Sequence, residues 1–564
     1  MAELNSEDKE DLRQTHSLLR PFPVNFDYHN LDADKLLSAF GKYGRYQMLT
    51  HVVTNSVQML FAINMMVMPF LTEAPEFNCV ITTPENTTWV YTKNDECHIR
   101  DGNNWTLSCP MIPNAYYNYT DKEATLTADF DLVCENSEAA EHGASIFLLG
   151  GLLMEPIITQ LSDLFGRRMT FLIPLYIAVV SNIICAISPT YTVFLAFRFI
   201  SGAASMSFNA ISSVLCMETV ALEFRSLTPL VGNFFWVAGY MLAGVFRIFI
   251  SRWRVLYFAI SILGALTVPL FWLVPESPHW LITQKRNKQI RRYILKSSKF
   301  NRTDVSLDMC KTDDVSVEES LLDEPTRKRK RRTALDIFTN GVLLVHLLVN
   351  SYILIILNGT YWALSLFSTE LSEDKWTGFF LSGLVEIPAA LLSVYLLVKL
   401  NRRTVSIVSL ALQSVCMLMA LYAPVPEHVK IVFPLLAKLF NAMAWNSQQL
   451  LYSESTPTSI RNVFCGILEF VGDIGGVLAP YVKRLESVNP NAPTLMIAIM
   501  SMIGASVVFV LPETKNKKLP DDIDSLDPGP LLKALGCTNK TEKSSDSVLT
   551  EKPAPSTDST GTTA

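Results

Sequence analysis

The sequence predicts an all-α polytopic membrane protein of twelve transmembrane helices in two six-helix repeats. Three observations predict it. Of 564 residues, 49% are hydrophobic and only 18% are charged, with a mean hydropathy of +0.25; soluble chains carry about 25% charged residues. The charges gather between apolar runs long enough to cross a bilayer, which takes about 20 residues. Short charged motifs also recur at matching places in the two halves of the chain.

In chain order, residues 1–45 are polar and hold no apolar leader core, so a cytosolic segment is expected and the first span directs insertion. Apolar runs at 46–71, 142–162, 169–188, 190–217, 228–250 and 255–274 make the first bundle, residues 46–274. The loop 72–141 inside it holds thirteen acids but only Lys93, Arg100 and Lys122 as bases. It carries three glycosylation sequons, at Asn86, Asn104 and Asn118, and four cysteines, Cys79, Cys97, Cys109 and Cys134. One sequon says little, but three with an even cysteine set place the loop outside the cell, with disulfides whose pairing the sequence leaves open.

The loop 275–337 is basic and ends in Arg327-Lys328-Arg329-Lys330-Arg331-Arg332, a solvated run suited to anionic lipid. Basic loops stay in the cytoplasm, and alternation from the first loop gives the same parity, so both termini come out cytoplasmic. Runs at 338–360, 376–400, 403–423, 429–453, 462–483 and 493–511 make the second bundle, residues 338–511. The tail 512–564, rich in Ser, Thr, Pro and Asp, reads as cytosolic and disordered.

The internal repeat is carried by loop motifs. Asp163-Leu164-Phe165-Gly166-Arg167-Arg168 after span two answers to Val398-Lys399-Leu400-Asn401-Arg402-Arg403 after span eight. Glu218 precedes Arg225 by seven residues after span four, as Glu454 precedes Arg461 after span ten. Span six ends in Pro275-Glu276-Ser277-Pro278 and span twelve in Pro512-Glu513-Thr514-Lys515. Such parallel repeats are the signature of the major facilitator architecture, with a substrate site near the midplane between the halves. The expected chemistry is charge pairing: Asp163, Arg167, Arg168, Glu218, Arg225, Glu454 and Arg461 form ion pairs across the cytoplasmic mouth that break and re-form as the halves rock. The same arginines also anchor helix ends inside.

PESPHWL at 275–281 resembles the PESPRWL signature of the organic cation, anion and zwitterion transporters, the solute carrier 22 family. FDLVCE at 130–135 closes the long loop as in that family, and TPTSIRN at 456–462 resembles its YPTxxRN. VEIP at 385–388 and DIGG at 473–476 are similar to stretches of its organic cation branch. The resemblance runs over about residues 40–515 and implies a polyspecific, facilitative plasma-membrane transporter. It implies Asp at position 473 for a cation carrier, where anion and carnitine-type members carry Arg. Glu386 matches the family's span-eight glutamate, and Tyr361 an aromatic of its span-seven pocket. The chain departs from the pattern at Thr159, Leu164, Asn209, His279, Val398 and Asn401.

Asp473 lies in the apolar stretch GILEFVGDIGGVLAPYV. A carboxylate at the bilayer centre costs about 2.5–3.5 kcal/mol on insertion scales, so it is expected to face a water-filled cavity with a partner. Glu469 lies four residues earlier, one turn away on the same face. The two acids suit a cation, a proton or a divalent ion; alternatively Glu469 pairs with an arginine such as Arg198. Organic cations also favour aromatic faces, each worth about 0.5–2 kcal/mol. Tyr361, Trp362 and Trp445 are the leading candidates, with Trp236, Tyr240 and Tyr452 behind them. Asn446, Gln448 and Gln449 either line the pore or bond helix to helix. Arg247 is expected to snorkel outward with Arg252 and Arg254.

The preferred reading is an organic cation transporter driven by membrane potential, with lipid around it and no nucleic-acid partner. Any homo-oligomer contact is expected through the long outer loop. The sequence holds no P-loop pattern and no catalytic or metal constellation, so neither an enzyme nor a cofactor is expected. The rivals are a carnitine-type zwitterion or organic anion carrier, and a transport-inactive receptor or scaffold.

Overall fold

Eleven helices among the described residues are long and apolar enough to cross a membrane: Arg45–Leu71, Cys134–Phe165, Arg167–Ala186, Tyr191–Glu218, Thr228–Phe249, Trp253–Leu273, Gly341–Glu370, Lys375–Lys399, Arg402–Tyr422, Arg461–Ser487 and Ala492–Val510. The computed structural model describes residues 31–82, 88–91, 97–101, 104–109, 115–303, 305, 310, 335–372, 374–517, 520, 522–523 and 526–535. A twelfth helix, Val432–Ser455, packs against Gly341–Leu366 and Arg402–Tyr422 as span ten. It is less apolar because Lys438, Asn441, Asn446, Gln448, Gln449 and Glu454 interrupt it. The twelve spans make the predicted all-α major facilitator fold. The basic run 327–332, Asn86 and the last part of the tail lie outside the described residues.

The long loop carries β structure that the helical reading passed over. Strand β1 (Phe77–Thr82) lies between β2 (Thr88–Tyr91) and β5 (Ala115–Tyr119) in an antiparallel sheet, and β3 (His98–Asp101) pairs with β4 (Asn104–Ser108). Disulfides Cys79–Cys109 and Cys97–Cys134 staple this small domain. By loop-closure entropy alone each stabilises by about 3–4 kcal/mol. Asn118 is exposed on β5, and Asn104 opens β4.

At the opposite, motif-bearing end the repeat is symmetric to the level of single hydrogen bonds. The four leading amides of a helix lack intrahelical acceptors. The Glu276 carboxylate takes those of Arg167 (2.8 Å) and Arg168 (3.1 Å), capping span three. Glu513 takes those of Arg402 (3.0 Å) and Arg403 (3.1 Å), capping span nine. Burial pushes the Glu276 carboxyl up, against the pull of the Arg168, Ser277 and Arg167 amides. Arg167 binds Glu218 at 3.0 Å, and Arg402 binds Glu454 at 3.3 Å. The tight turn before span three needs glycine: Gly166 has φ +99°, and a Cβ there would lie 2.6 Å from the Glu276 carboxylate. Its counterpart Asn401 has φ −74°, which explains why no glycine stands there.

Among the described residues, every ion pair at this end lies within one repeat: Asp163 joins Arg167 (2.9 Å), and Arg225 joins Asp34. Arg461 bonds the Thr456 carbonyl (3.1 Å), and Arg168 the Phe271 carbonyl. The physical reason is local: each arginine starts a helix, where the carbonyls and acids of its own bundle are nearest. His279, at the departure from PESPRWL, sits 3.1 Å from Asp34 and 3.3 Å from Arg225. Asp34 belongs to helix Ala33–Ala39, whose Leu36 and Leu37 bury against Trp280, Ile290 and Tyr293.

The two repeats meet instead at the long-loop end and near the middle. Lys375 binds Glu73 at 2.7 Å, His142 bonds Tyr481 at 2.9 Å, and Ser145 donates to the Val477 carbonyl at 2.8 Å. Arg484 joins Glu138. Phe70 packs on Phe379, with ring centroids 4.6 Å apart. Arg198 is not the partner of Glu469: it is fully buried, bonding the Asn64 (3.0 Å) and Gly143 (3.3 Å) carbonyls and the Tyr257 hydroxyl (2.5 Å) inside the first repeat. At the loop end Arg247 bonds the Ile250 carbonyl (3.3 Å), Arg252 pairs with Glu123 (3.1 Å) and Arg254 with Asp129 (2.8 Å).

Candidate functional site

The helix Arg461–Leu478 is held against Gly341–Leu366 by backbone-to-backbone packing. A Cβ at Gly475 would fall 2.0 Å from the Ile355 carbonyl, so only glycine permits this approach. The close contact lets Asn358, 7% exposed, donate to Asp473 Oδ1 at 2.9 Å. Glu469 shares that face, as its spacing requires, and accepts a hydrogen bond from the Tyr452 hydroxyl of span ten. Gly466, one further turn back, borders open space. Asp473 and Glu469 are half-buried.

Span two packs on the helix of Asp473 across the repeat interface, and its Glu155 is half-buried within electrostatic range of Asp473 and Glu469. Neighbouring carboxylates repel unless a cation or a proton offsets their charge. Three half-buried acids from two repeats thus gather at this interface. Among the described residues no acids, histidines or cysteines are grouped closely enough in threes to hold a metal ion.

Glu386 forms a separate centre. It is 5% exposed and bonded by Lys438 of span ten (2.9 Å) and by the Tyr361 hydroxyl (2.9 Å). Lys438 also donates to the carbonyl and hydroxyl of Ser382, both at 3.0 Å, and lies over the rings of Tyr240 (4.7 Å) and Tyr361 (5.2 Å). Tyr240, from the first repeat, bonds Ser368 (3.1 Å) and Ser382 (3.2 Å). The expectation of Glu386 as an open cation ligand thus meets a carboxylate that already holds a cation, the chain's own. Tyr361 is three residues after Asn358, so span seven carries a contact to each centre on one face.

Trp362 is buried against Gly476, with its ring edge-on to Trp236 at 6.2 Å. Trp445 packs within the second repeat, between the clusters around Leu468 and Leu451, rather than beside Asp473. Asn446 bonds Ser393 (2.9 Å) and Gln448 bonds Asn350 (2.6 Å), so these amides tie helix to helix. Glu155, Asn358 and Lys438 are the site residues that sequence reasoning missed. Glu155 and Lys438 gave the signal that singled out Asp473, an ionisable residue inside an apolar run.

Residues 114–522 match the family described as "Sugar (and other) transporter". A Caenorhabditis elegans relative named as a transporter, with no substrate in its name, is 29% identical over 92% of this chain and 88% of its own. An organic cation transporter protein of Drosophila melanogaster is 26% identical over 87% of this chain and 94% of its own. Rat solute carrier family 22 member 2 is 29% identical over 72% of each chain. Among solved structures, the E. coli xylose transporter XylE in an inward-open conformation superposes with a TM-score of 0.59. It is 17% identical, covering 84% of this chain and 98% of that one, a likeness of fold.

Proposed function

This chain belongs to the sugar (and other) transporter family, and from that premise we propose that it carries organic cations through a plasma membrane by alternating access. The observation that carries the reading is that Glu155 of the first repeat and Asp473 and Glu469 of the second are half-buried at the packed interface of spans two and eleven. Three carboxylates gathered there favour a positively charged guest. The site takes residues from both repeats, so rocking one repeat against the other around it opens it to each side in turn, as alternating access requires.

In this reading Asp473 is the principal anchor, and Glu155 and Glu469 add field. Tyr452 and Asn358 orient the acids. Tyr361, Trp362 and Glu386 form the neighbouring wall, and Trp445 supports the helix that carries Tyr452. The long loop faces outward and both termini inward, so the ion pairs and ring contacts at the loop end are the closed outer gate. The symmetric pairs Arg167–Glu218 and Arg402–Glu454 brace each bundle as it rocks. A monovalent cation gains about 2.3 kcal/mol per 100 mV, which supports roughly fifty-fold accumulation without a coupled ion.

Lys438 favours a second reading, a carnitine-type zwitterion whose carboxylate takes this ammonium from Glu386. Radiolabelled tetraethylammonium, carnitine and p-aminohippurate uptake, with and without depolarisation, separates the two. The cation reading expects saturable tetraethylammonium uptake that falls on depolarisation. Uptake of carnitine alone would replace it with the second reading, and no flux of any of the three would favour a receptor or scaffold.

A further inference from the structure

A cavity of about 200 Å³ lies between the repeats at the closed, long-loop end. It is a different place from the central acids: Glu141 on its wall precedes Glu155 by fourteen residues of one helix, about 21 Å along the axis. Its charges do not cancel. Lys375 is engaged by Glu73 (2.7 Å), Lys483 by Glu370 and, just behind, Arg484 by Glu138. Glu141 is left over, and among the described residues it makes no ion pair and its carboxylate accepts no hydrogen bond. The lining also holds apolar side chains, Met68 and Leu366, and the Phe367 ring, over which the Lys483 ammonium lies at 5.9 Å.

A carboxylate with no ion pair of its own, in a cavity with apolar side chains, is the chemistry that holds an ammonium with an alkyl body. The volume exceeds that of the cavity of about 150 Å³ that takes up benzene. We propose that this outer cavity is a second binding site, for a small alkylammonium ion held by Glu141 against Met68 and Leu366. Its walls come from both repeats, so an occupied cavity holds the outer end shut and slows transport. The site does not depend on the central acids, and the test keeps the two apart.

The probe is radiolabelled tetramethylammonium, bound to the purified full chain in detergent. Asp473→Asn removes the central carboxylate from the comparison, and saturable binding is expected to remain. Adding Glu141→Gln in that background should weaken the remaining binding about tenfold or more, the worth of a charge-assisted contact. Adding Glu141→Asp instead should keep most of it, with all variants monodisperse on gel filtration. Binding lost entirely in Asp473→Asn, or unchanged by Glu141→Gln, would overturn the outer site. So would equal loss in Glu141→Asp and Glu141→Gln, which would make the residue a structural one. If Asp473→Asn transports normally, the central assignment fails while the Glu141 comparison still reads the outer cavity.

Discussion

Replacing Lys438 by methionine removes the charge that compensates a carboxylate 5% exposed, since the Lys438 ammonium lies 2.9 Å from Glu386. The flexible, apolar side chain of methionine keeps much of the packing, so the loss is chiefly electrostatic. Breaking one side of a buried ion pair costs about 3–5 kcal/mol, because the orphaned charge stays desolvated. The lost bond to the Ser382 carbonyl adds about 1 kcal/mol. Replacing both partners, Glu386→Gln with Lys438→Met, leaves a neutral amide that still accepts from Tyr361, and its cost should be about 1–2 kcal/mol. The assay is equilibrium unfolding of the purified protein in mixed micelles for the wild type, both single variants and the double variant. The double variant should be more stable than Lys438→Met alone by about 2 kcal/mol or more. If the two single costs simply add, Glu386 and Lys438 do not neutralise one another, and the separation of this centre from the central acids is wrong.

Two other outcomes follow from the same geometry. Glu155→Lys places a tethered ammonium beside Asp473 and should abolish cation uptake with surface expression intact; unimpaired uptake would show that Glu155 and Asp473 do not share a cation. Cysteines at positions 142 and 481, whose native side chains bond at 2.9 Å, should be linked by a short bis-thiol reagent. Transport should then stop and return on reduction, whereas transport by the linked protein would show that this end need not open.

Much of this architecture is written in the chain locally. Apolar length alone marks the spans, and span ten remains recognisable despite Lys438 and its amides because twenty-odd residues still separate its flanking loops. The loop motifs alone make the repeat visible, whereas the Glu276 and Glu513 caps join residues 109 and 111 positions apart and emerge only in the fold. The strands in the long loop are legible too, in the aromatic and β-branched runs FNCVIT, TWVY and AYYNY. What a single chain cannot display is which intramembrane charges meet. Asp473 finds Glu155 across 318 positions and Asn358 across 115, while Glu386 finds Lys438 rather than Asp473. Helix packing sets these pairings through contacts such as Gly475 on Ile355, and periodicity gives only the face on which each residue lies.

Whether the central acids hold the transported cation is tested most directly by tetraethylammonium uptake by Asp473→Asn in polarised cells, normalised to surface-expressed protein. Uptake should fall at least tenfold at normal surface level, the loss of one charge-assisted contact of about 1.5–3 kcal/mol. Wild-type uptake by this variant would contradict the assignment of the central acids as the cation site.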